Sequence, residues 1–215
     1  MDDIARDVAK VLLEIKAVTL SPSKPYRFVS GIHSPIYCDN RLLMSYPDKR
    51  ARIIDHMARL AADRKLDFDI VAGIASSGIP HAAWLAEKLQ KPMIYIRKES
   101  KEHGKENLIE GNLDKGKKVI IVEDLVSTGG SSVAGIEAVR REGGIVGQCL
   151  AIFTYGMVKA KNAFREAGCE LIPLCDFSTL IKVAGEMKYI GREEMEKALE
   201  WSKDPQNWGR KMGFE

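Results

Sequence analysis

Between Val119 and Ser132 the chain changes character three times, and each change narrows the folds open to it. Val119-Ile120-Ile121-Val122 is a run of four β-branched apolar residues. Such a run reads as a strand buried on both faces. Glu123 and Asp124 follow at once, where the strand should end. Next come hydroxyl and glycine residues, Ser127-Thr128-Gly129-Gly130-Ser131-Ser132, and a helical pattern from Val133 to Arg140. A strand, a small-residue turn and a helix N-terminus together make a phosphate cradle. Backbone N–H groups point at the anion, and the helix dipole favours negative charge there. Glycines let the backbone come close, and the hydroxyls add donors.

The two acids set this unit apart from a simple phosphate loop. On a strand, Glu123 and Asp124 point to opposite sides. At least one can accept hydrogen bonds from sugar hydroxyls beside the phosphate. The unit therefore reads as a ribose 5-phosphate site, with acids for the diol and a loop for the phosphate. Neither GxxxxGK[ST] nor GxGxxG occurs here.

The rest of the chain supplies the frame. Apolar spacing predicts helices over 3–17 and 47–64, with extended pieces between Tyr26 and Arg41. A βα alternation then begins. Strands are expected at 69–72, 92–96, 118–122, 145–154 and 170–175. Helices are expected at 79–89, 131–142, 159–167, 176–184 and 192–201, with Asp176 as an N-cap. Such alternation implies an α/β fold with a mainly parallel sheet flanked by helices. Ligands bind such sheets at the carboxyl ends of the strands. The first 45 residues fall outside the alternation and are expected to form a small hood over the sheet edge. Residues 46–215 would be the α/β core with its C-terminal helices.

Composition excludes several classes. At 215 residues the chain suffices for one substantial core. A net charge of +3, with no Lys/Arg block or basic-aromatic repeat, gives no sign of nucleic-acid binding. No apolar run approaches the ~20 residues of a membrane span. Met1-Asp2-Asp3, acidic and followed by an amphipathic pattern, is not expected to begin a signal peptide. Cys38, Cys149, Cys169 and Cys175 show no CxxC spacing, so they are expected as free thiols in a reducing cytoplasm.

A second constellation is Arg97-Lys98-Glu99-Ser100-Lys101-Glu102-His103-Gly104-Lys105. It follows a strand and opens a long aperiodic stretch, the kind of loop that often serves as a lid. A pyrophosphate leaving group carries several negative charges. Lys101 and His103 could close over it, with Arg97 and Lys98 holding it from the strand end. That strand end is expected to neighbour the ribose-phosphate loop. A third strand–loop–helix unit, Ala72-Gly73-Ile74-Ala75-Ser76-Ser77-Gly78, offers amides to a second phosphate.

The unit from Glu123 to Ser131 resembles the phosphoribosyl pyrophosphate (PRPP) motif of type I phosphoribosyltransferases. With Arg97-Lys98-x-x-Lys101-x-His103-Gly104 and Ser30-Gly31-x-x-Ser34-Pro35-Ile36-Tyr37-Cys38-Asp39-Asn40-Arg41, the whole chain resembles the orotate phosphoribosyltransferase family. The resemblance implies the type I phosphoribosyltransferase fold and a Mg²⁺-dependent reaction. Orotate and PRPP give orotidine 5′-monophosphate and pyrophosphate, in pyrimidine (UMP) biosynthesis. It implies a homodimer whose basic loop reaches the partner's active site. It assigns PRPP binding to Arg97, Lys98, Lys101, His103, Glu123, Asp124, Leu125, Val126, Ser127, Thr128, Gly129, Gly130 and Ser131. Lys101 and His103 are the expected catalytic pair. Ser127, Tyr37 and Cys38 would meet orotate. Mg²⁺ would be held mainly by substrate and water, without a protein cage.

Two positions depart from the family pattern. Val29 stands where a lysine is common, and Phe153-Thr154-Tyr155-Gly156 holds no match for an arginine that contacts orotate. The partner of the orotate carboxylate is left among amides near Ser30-Gly31, Arg41 and Lys159. Two rival readings share the cradle. One is a purine phosphoribosyltransferase. The other is a PRPP-sensing regulator that binds nucleic acid, which should carry an added DNA-binding segment or a basic face.

Overall fold

The structure, a computed structural model, describes residues 2–28, 31–98 and 108–214. In chain order the elements are α1 (Asp2–Glu14), β1 (Val18–Leu20), β2 (Tyr26–Arg27), β3 (His33–Ser34), β4 (Ile36–Cys38) and a 3-10 helix (Asn40–Ser45). Then follow α2 (Pro47–Asp63), β5 (Ile70–Ile74), α3 (Gly78–Leu89), β6 (Met93–Ile96), β7 (Ile109–Glu110) and β8 (Lys118–Val126). The last are α4 (Gly130–Arg141), β9 (Ile145–Thr154), α5 (Val158–Glu166), β10 (Glu170–Asp176), α6 (Phe177–Glu186), α7 (Arg192–Lys203) and α8 (Trp208–Lys211).

Six strands form one sheet in the order β10-β9-β8-β5-β6-β7, parallel except for β7. This is the α/β architecture that the alternation implies. All five residues of β5 are buried, as a central parallel strand requires. Successive residues of β8 serve opposite faces. Ile120 and Val122 pack with α1, α2, α3 and α6, whereas Val119 and Ile121 pack with α4 and α5. The alternation breaks past Asp124: Leu125 packs on the first face and Val126 on the second.

The N-terminal segment divides. Val8, Leu12 and Ile15 are buried and carry α1 into the main core beside α6 and β10. The short antiparallel pairs β1–β4 and β2–β3 stand apart from the six-stranded sheet. Trp201 of α7 fastens the β2–β3 pair, donating its indole N–H to the His33 carbonyl at 3.1 Å.

Two expectations need correction. β8 does not end at Val122 but runs through Val126, because β9 pairs with it as far as Val126↔Thr154. The stretch after β6 returns as β7, whose Ile109 is buried against the sheet edge. Its two-residue length is too short to show a period. In the sheet β5 lies between β6 and β8.

Candidate active site

The acids sit where β8 loses a neighbour. β5 pairs with β8 only as far as Gly73↔Val122, then turns through Ala75–Ser77 into α3. At Gly78 a Cβ would stand 2.6 Å from the Val122 carbonyl oxygen, so only glycine lets α3 start this close to β8. Past Val122 the strand keeps β9 alone as a partner. Asn40, buried in the 3-10 helix, covers part of the open side. Its amide Nδ2 donates to the Asp124 carbonyl at 2.6 Å.

The two carboxylates face opposite ways, as alternation requires. Glu123 is buried and accepts a hydrogen bond from Ser132 Oγ at 2.7 Å. Burial pushes its pKa up to about 7, with the Ser132 hydrogen bond and the Lys98 charge opposing and the Asp124 charge adding. Asp124 is half-buried on the other face. Burial raises it to about 6, against stabilisation by backbone N–H groups and Arg41.

The loop after β8 is built for close approach. Gly129 caps α4 at φ +82°, and a Cβ there would meet the Phe164 ring at 3.2 Å. At Gly130, by contrast, a Cβ would meet nothing within 4 Å. Thr128, Gly130 and Ser131 are exposed, so the amides and hydroxyls of the turn open outward. The α4 N-terminus thus presents an anion site bordered by a carboxylate on each face of β8.

Although β5 separates β6 from β8, the end of β6 still reaches this site. Arg97 and Lys98 share a cavity of about 110 Å³ with Ser131 and Ala134 of α4. Arg97 lies 3.5 Å from Glu110 of β7, and its backbone N–H donates to the Leu108 carbonyl at 2.8 Å. Lys101 and His103, the expected catalytic pair, lie outside the described residues.

On the other side of the loop, Ser127 and Thr128 line a cavity of about 340 Å³. Its walls are Phe28 and Ile32 from the hood, Met157, Val158 and Lys159 at the start of α5, and residues 201–206. This is a mostly apolar slot of the size that takes a small planar ring. Tyr37 and Cys38, expected at the base side, are not among its lining residues. Tyr37 is exposed beside Tyr26, with ring centroids 5.8 Å apart. Cys38 lies under it near Asp124 and donates to Asn40 Oδ1 at 3.4 Å; burial and the Asp124 and Asp39 charges push its thiol well up. β4, which carries Tyr37 and Cys38, has three residues, too few to reveal which side chains face inward. The contribution of residues 201–206 had no local signal at all.

Arg41 folds back onto Asp39 in a two-pronged ion pair, at 2.6 and 2.8 Å. Ser30 lies outside the described residues. Among the described residues no group of three or more His, Cys, Asp or Glu is arranged to hold a metal ion. The opposed directions of Glu123 and Asp124 suit sugar hydroxyls better than joint chelation.

A family model described as the phosphoribosyl transferase domain matches residues 48–164. The chain is 52% identical to an orotate phosphoribosyltransferase of Coxiella burnetii, over 95% of this chain and 98% of that one. It is 48% identical to an orotate phosphoribosyltransferase of Listeria monocytogenes, over 96% and 99%. Among solved structures it is similar to the orotate phosphoribosyltransferase of Aeropyrum pernix, with a TM-score of 0.73 and 29% identity, covering 86% of this chain and 99% of that one. Identity of this order over nearly the full length, joined to an acid pair running into the exposed small-residue turn at the α4 N-terminus, places the chain in the orotate phosphoribosyltransferase family.

Proposed function

We propose that this chain transfers the 5-phosphoribosyl group of PRPP to orotate, giving orotidine 5′-monophosphate and pyrophosphate for pyrimidine biosynthesis. The observation that carries this is one continuous run of β8. Its acid pair leads directly into an exposed anion-binding turn, and that turn also forms the wall of a ring-sized slot.

The 5-phosphate sits on the amides and hydroxyls of Ser127–Ser131 at the α4 N-terminus. The ribose hydroxyls donate to the acids, chiefly to the more accessible Asp124, with Glu123 also fixing the first turn of α4. The base enters the slot beside Ser127. A ring nitrogen of orotate bonds to the anomeric carbon and gives up its proton to solvent or to the departing pyrophosphate, as the carbon–oxygen bond to pyrophosphate breaks and pyrophosphate leaves with the electron pair. Positive charge grows on the ribose ring, and the adjacent carboxylates favour it electrostatically. Arg97 and Lys98 approach the same turn, and with Lys101 and His103 they offset the charge of the departing pyrophosphate. No covalent nucleophile is needed, and the Cys38 thiol is held neutral.

Mg²⁺, when bound to the substrate, would neutralise part of the diphosphate charge; the acids here fit a role beside such an ion rather than as its cage. A homodimer in which Lys101 and His103 serve the partner's site, in the cytoplasm, completes this reading. Among the described residues no helix is long and apolar enough to cross a membrane.

The test is an assay with PRPP and a panel of bases. Orotate should be consumed with equal release of pyrophosphate, while hypoxanthine, xanthine, adenine and uracil are left. Turnover of a purine without orotate would sink the proposal. Salt-sensitive binding to DNA or RNA with no turnover would favour the regulator instead.

A further inference from the structure

We infer that Lys159 is the residue that recognises the carboxylate of the pyrimidine, and that it sets the preference for a carboxylated base over a bare one. This rests on the reading of the slot beside Ser127 as the base site.

The argument is by position and by elimination within the slot. Orotate is a planar ring with an anionic carboxylate. A mostly apolar slot holds the ring, but the anion needs a cation or a set of N–H donors. Two cationic side chains line the cavity, Lys159 and Lys203. Lys203 is engaged, with its ammonium 2.5 Å from Glu200. Asp204, also lining the cavity, is held by Lys211 at 2.8 Å and would repel a second carboxylate in its neighbourhood. Arg41 does not line the cavity and is paired with Asp39.

Lys159 remains. Among the described residues no carboxylate is paired with it. It is the second residue of α5, on the same wall as Met157, whose sulfur lies 4.0 Å from Ser127 Oγ. The position has a second merit. First-turn amides of a helix lack intrahelical partners, and the dipole of α5 adds to the attraction for an anion beside Lys159. The side chain is exposed, so removing its charge leaves no buried hole. Lys161, two residues on, lines a separate groove with Phe164 and Asp176, so it provides a matched control on the same helix.

Orotidine 5′-monophosphate and uridine 5′-monophosphate differ only by the carboxylate, and their binding can be measured by calorimetry without turnover. The wild type should prefer the carboxylated nucleotide. Lys159→Met should reduce that preference by about ten- to a hundredfold, the span expected for one hydrogen bond to a charged group. Binding of the uridine nucleotide should stay unchanged. Lys159→Arg should retain most of the preference, and Lys161→Met all of it. In steady state, Lys159→Met should raise KM for orotate and leave KM for PRPP alone. If the preference survives in Lys159→Met, or is absent from the wild type, the assignment is wrong. A wild type that makes no orotidine monophosphate from orotate would overturn the underlying reading itself, a separate result from a preference that ignores Lys159.

Discussion

The Ser132 hydroxyl donates to Glu123 Oε1 at 2.7 Å, tying the first turn of α4 to β8 across the loop that they flank. Both residues are buried, so neither finds ready compensation from water. The hydrogen bond fixes where the α4 amides point relative to the acids. It also stabilises the ionised form of a carboxyl that burial pushes the other way. Ser132→Ala should therefore destabilise the fold by ~1–3 kcal/mol, the cost of an orphaned buried acceptor. It should raise the Glu123 pKa further. Urea unfolding at pH 8 and a pH titration of PRPP affinity would check the two effects; equal stability in the variant would contradict the first.

Stability should fall as pH rises through the range of the acid pair. Glu123 lies at about 7 against an ordinary 4.5, and Asp124 at about 6 against 3.8. A raised carboxyl pKa means that the folded state binds more protons than the unfolded one. Its stabilising contribution is full below the ordinary values and is lost as pH rises through about 6 and then about 7. Glu123→Gln should flatten this dependence, gaining on the wild type between pH 5 and pH 8 in thermal unfolding. Ribose hydroxyls favour the ionised acids, so PRPP binding should release protons near pH 6.5, and less in Asp124→Asn, by calorimetry in two buffers.

Gly130→Ala should separate folding from function. Nothing of the protein lies within 4 Å of the added methyl, and the position is the first of a helix. Thermal stability should hold or rise by up to ~1 kcal/mol. Yet the methyl would stand where the 5-phosphate is proposed to sit. PRPP affinity should drop at least about tenfold. A variant with unchanged affinity would move the phosphate elsewhere.

Asn40 joins the hood to the acid-bearing strand through the Asp124 carbonyl. Asn40→Leu removes the donor and should cost ~1–3 kcal/mol. The displaced strand should also raise KM for PRPP. Retained stability and KM would show that the contact is incidental.

Lys101→Ala should lower kcat far more than it weakens PRPP binding, because its proposed work is on departing charge. Unchanged turnover would remove it from the mechanism. Mixed with Asp124→Ala, it should recover part of the activity in hybrid dimers, if one subunit's loop serves the other's site. No recovery after demonstrated subunit exchange would exclude sharing.

What was legible in the sequence followed from strong periodicity. The run Val119–Val122, the helices α2 and α3, and the Asp176 cap, which accepts from the Thr179 amide at 2.8 Å, all signal themselves locally. The acid pair and the small-residue turn did too. The base slot did not, because its walls are assembled from distant pieces. Phe28 and Ile32 come from segments too short for a pattern, and Trp201 reads as the end of an amphipathic helix. That its ring packs against Tyr155 at 5.5 Å and its N–H holds the hood is a tertiary fact. Likewise β7 was hidden by its length, and the end of β8 was misplaced because two acids in a strand look like its terminus.

The opposed directions of Glu123 and Asp124 carry a rule of counting. Between Ile120 and Asp124, β8 measures distance in steps of two residues, so each acid's face depends on parity rather than on neighbouring residues. An insertion or deletion in a surrounding loop leaves that parity alone. One residue lost within the strand ahead of the acids would move Asp124 into the place beside Ser132 and swing Glu123 to the opposite face. Transplanting this site onto another sheet therefore means transplanting an even-numbered offset from the core, not merely a motif.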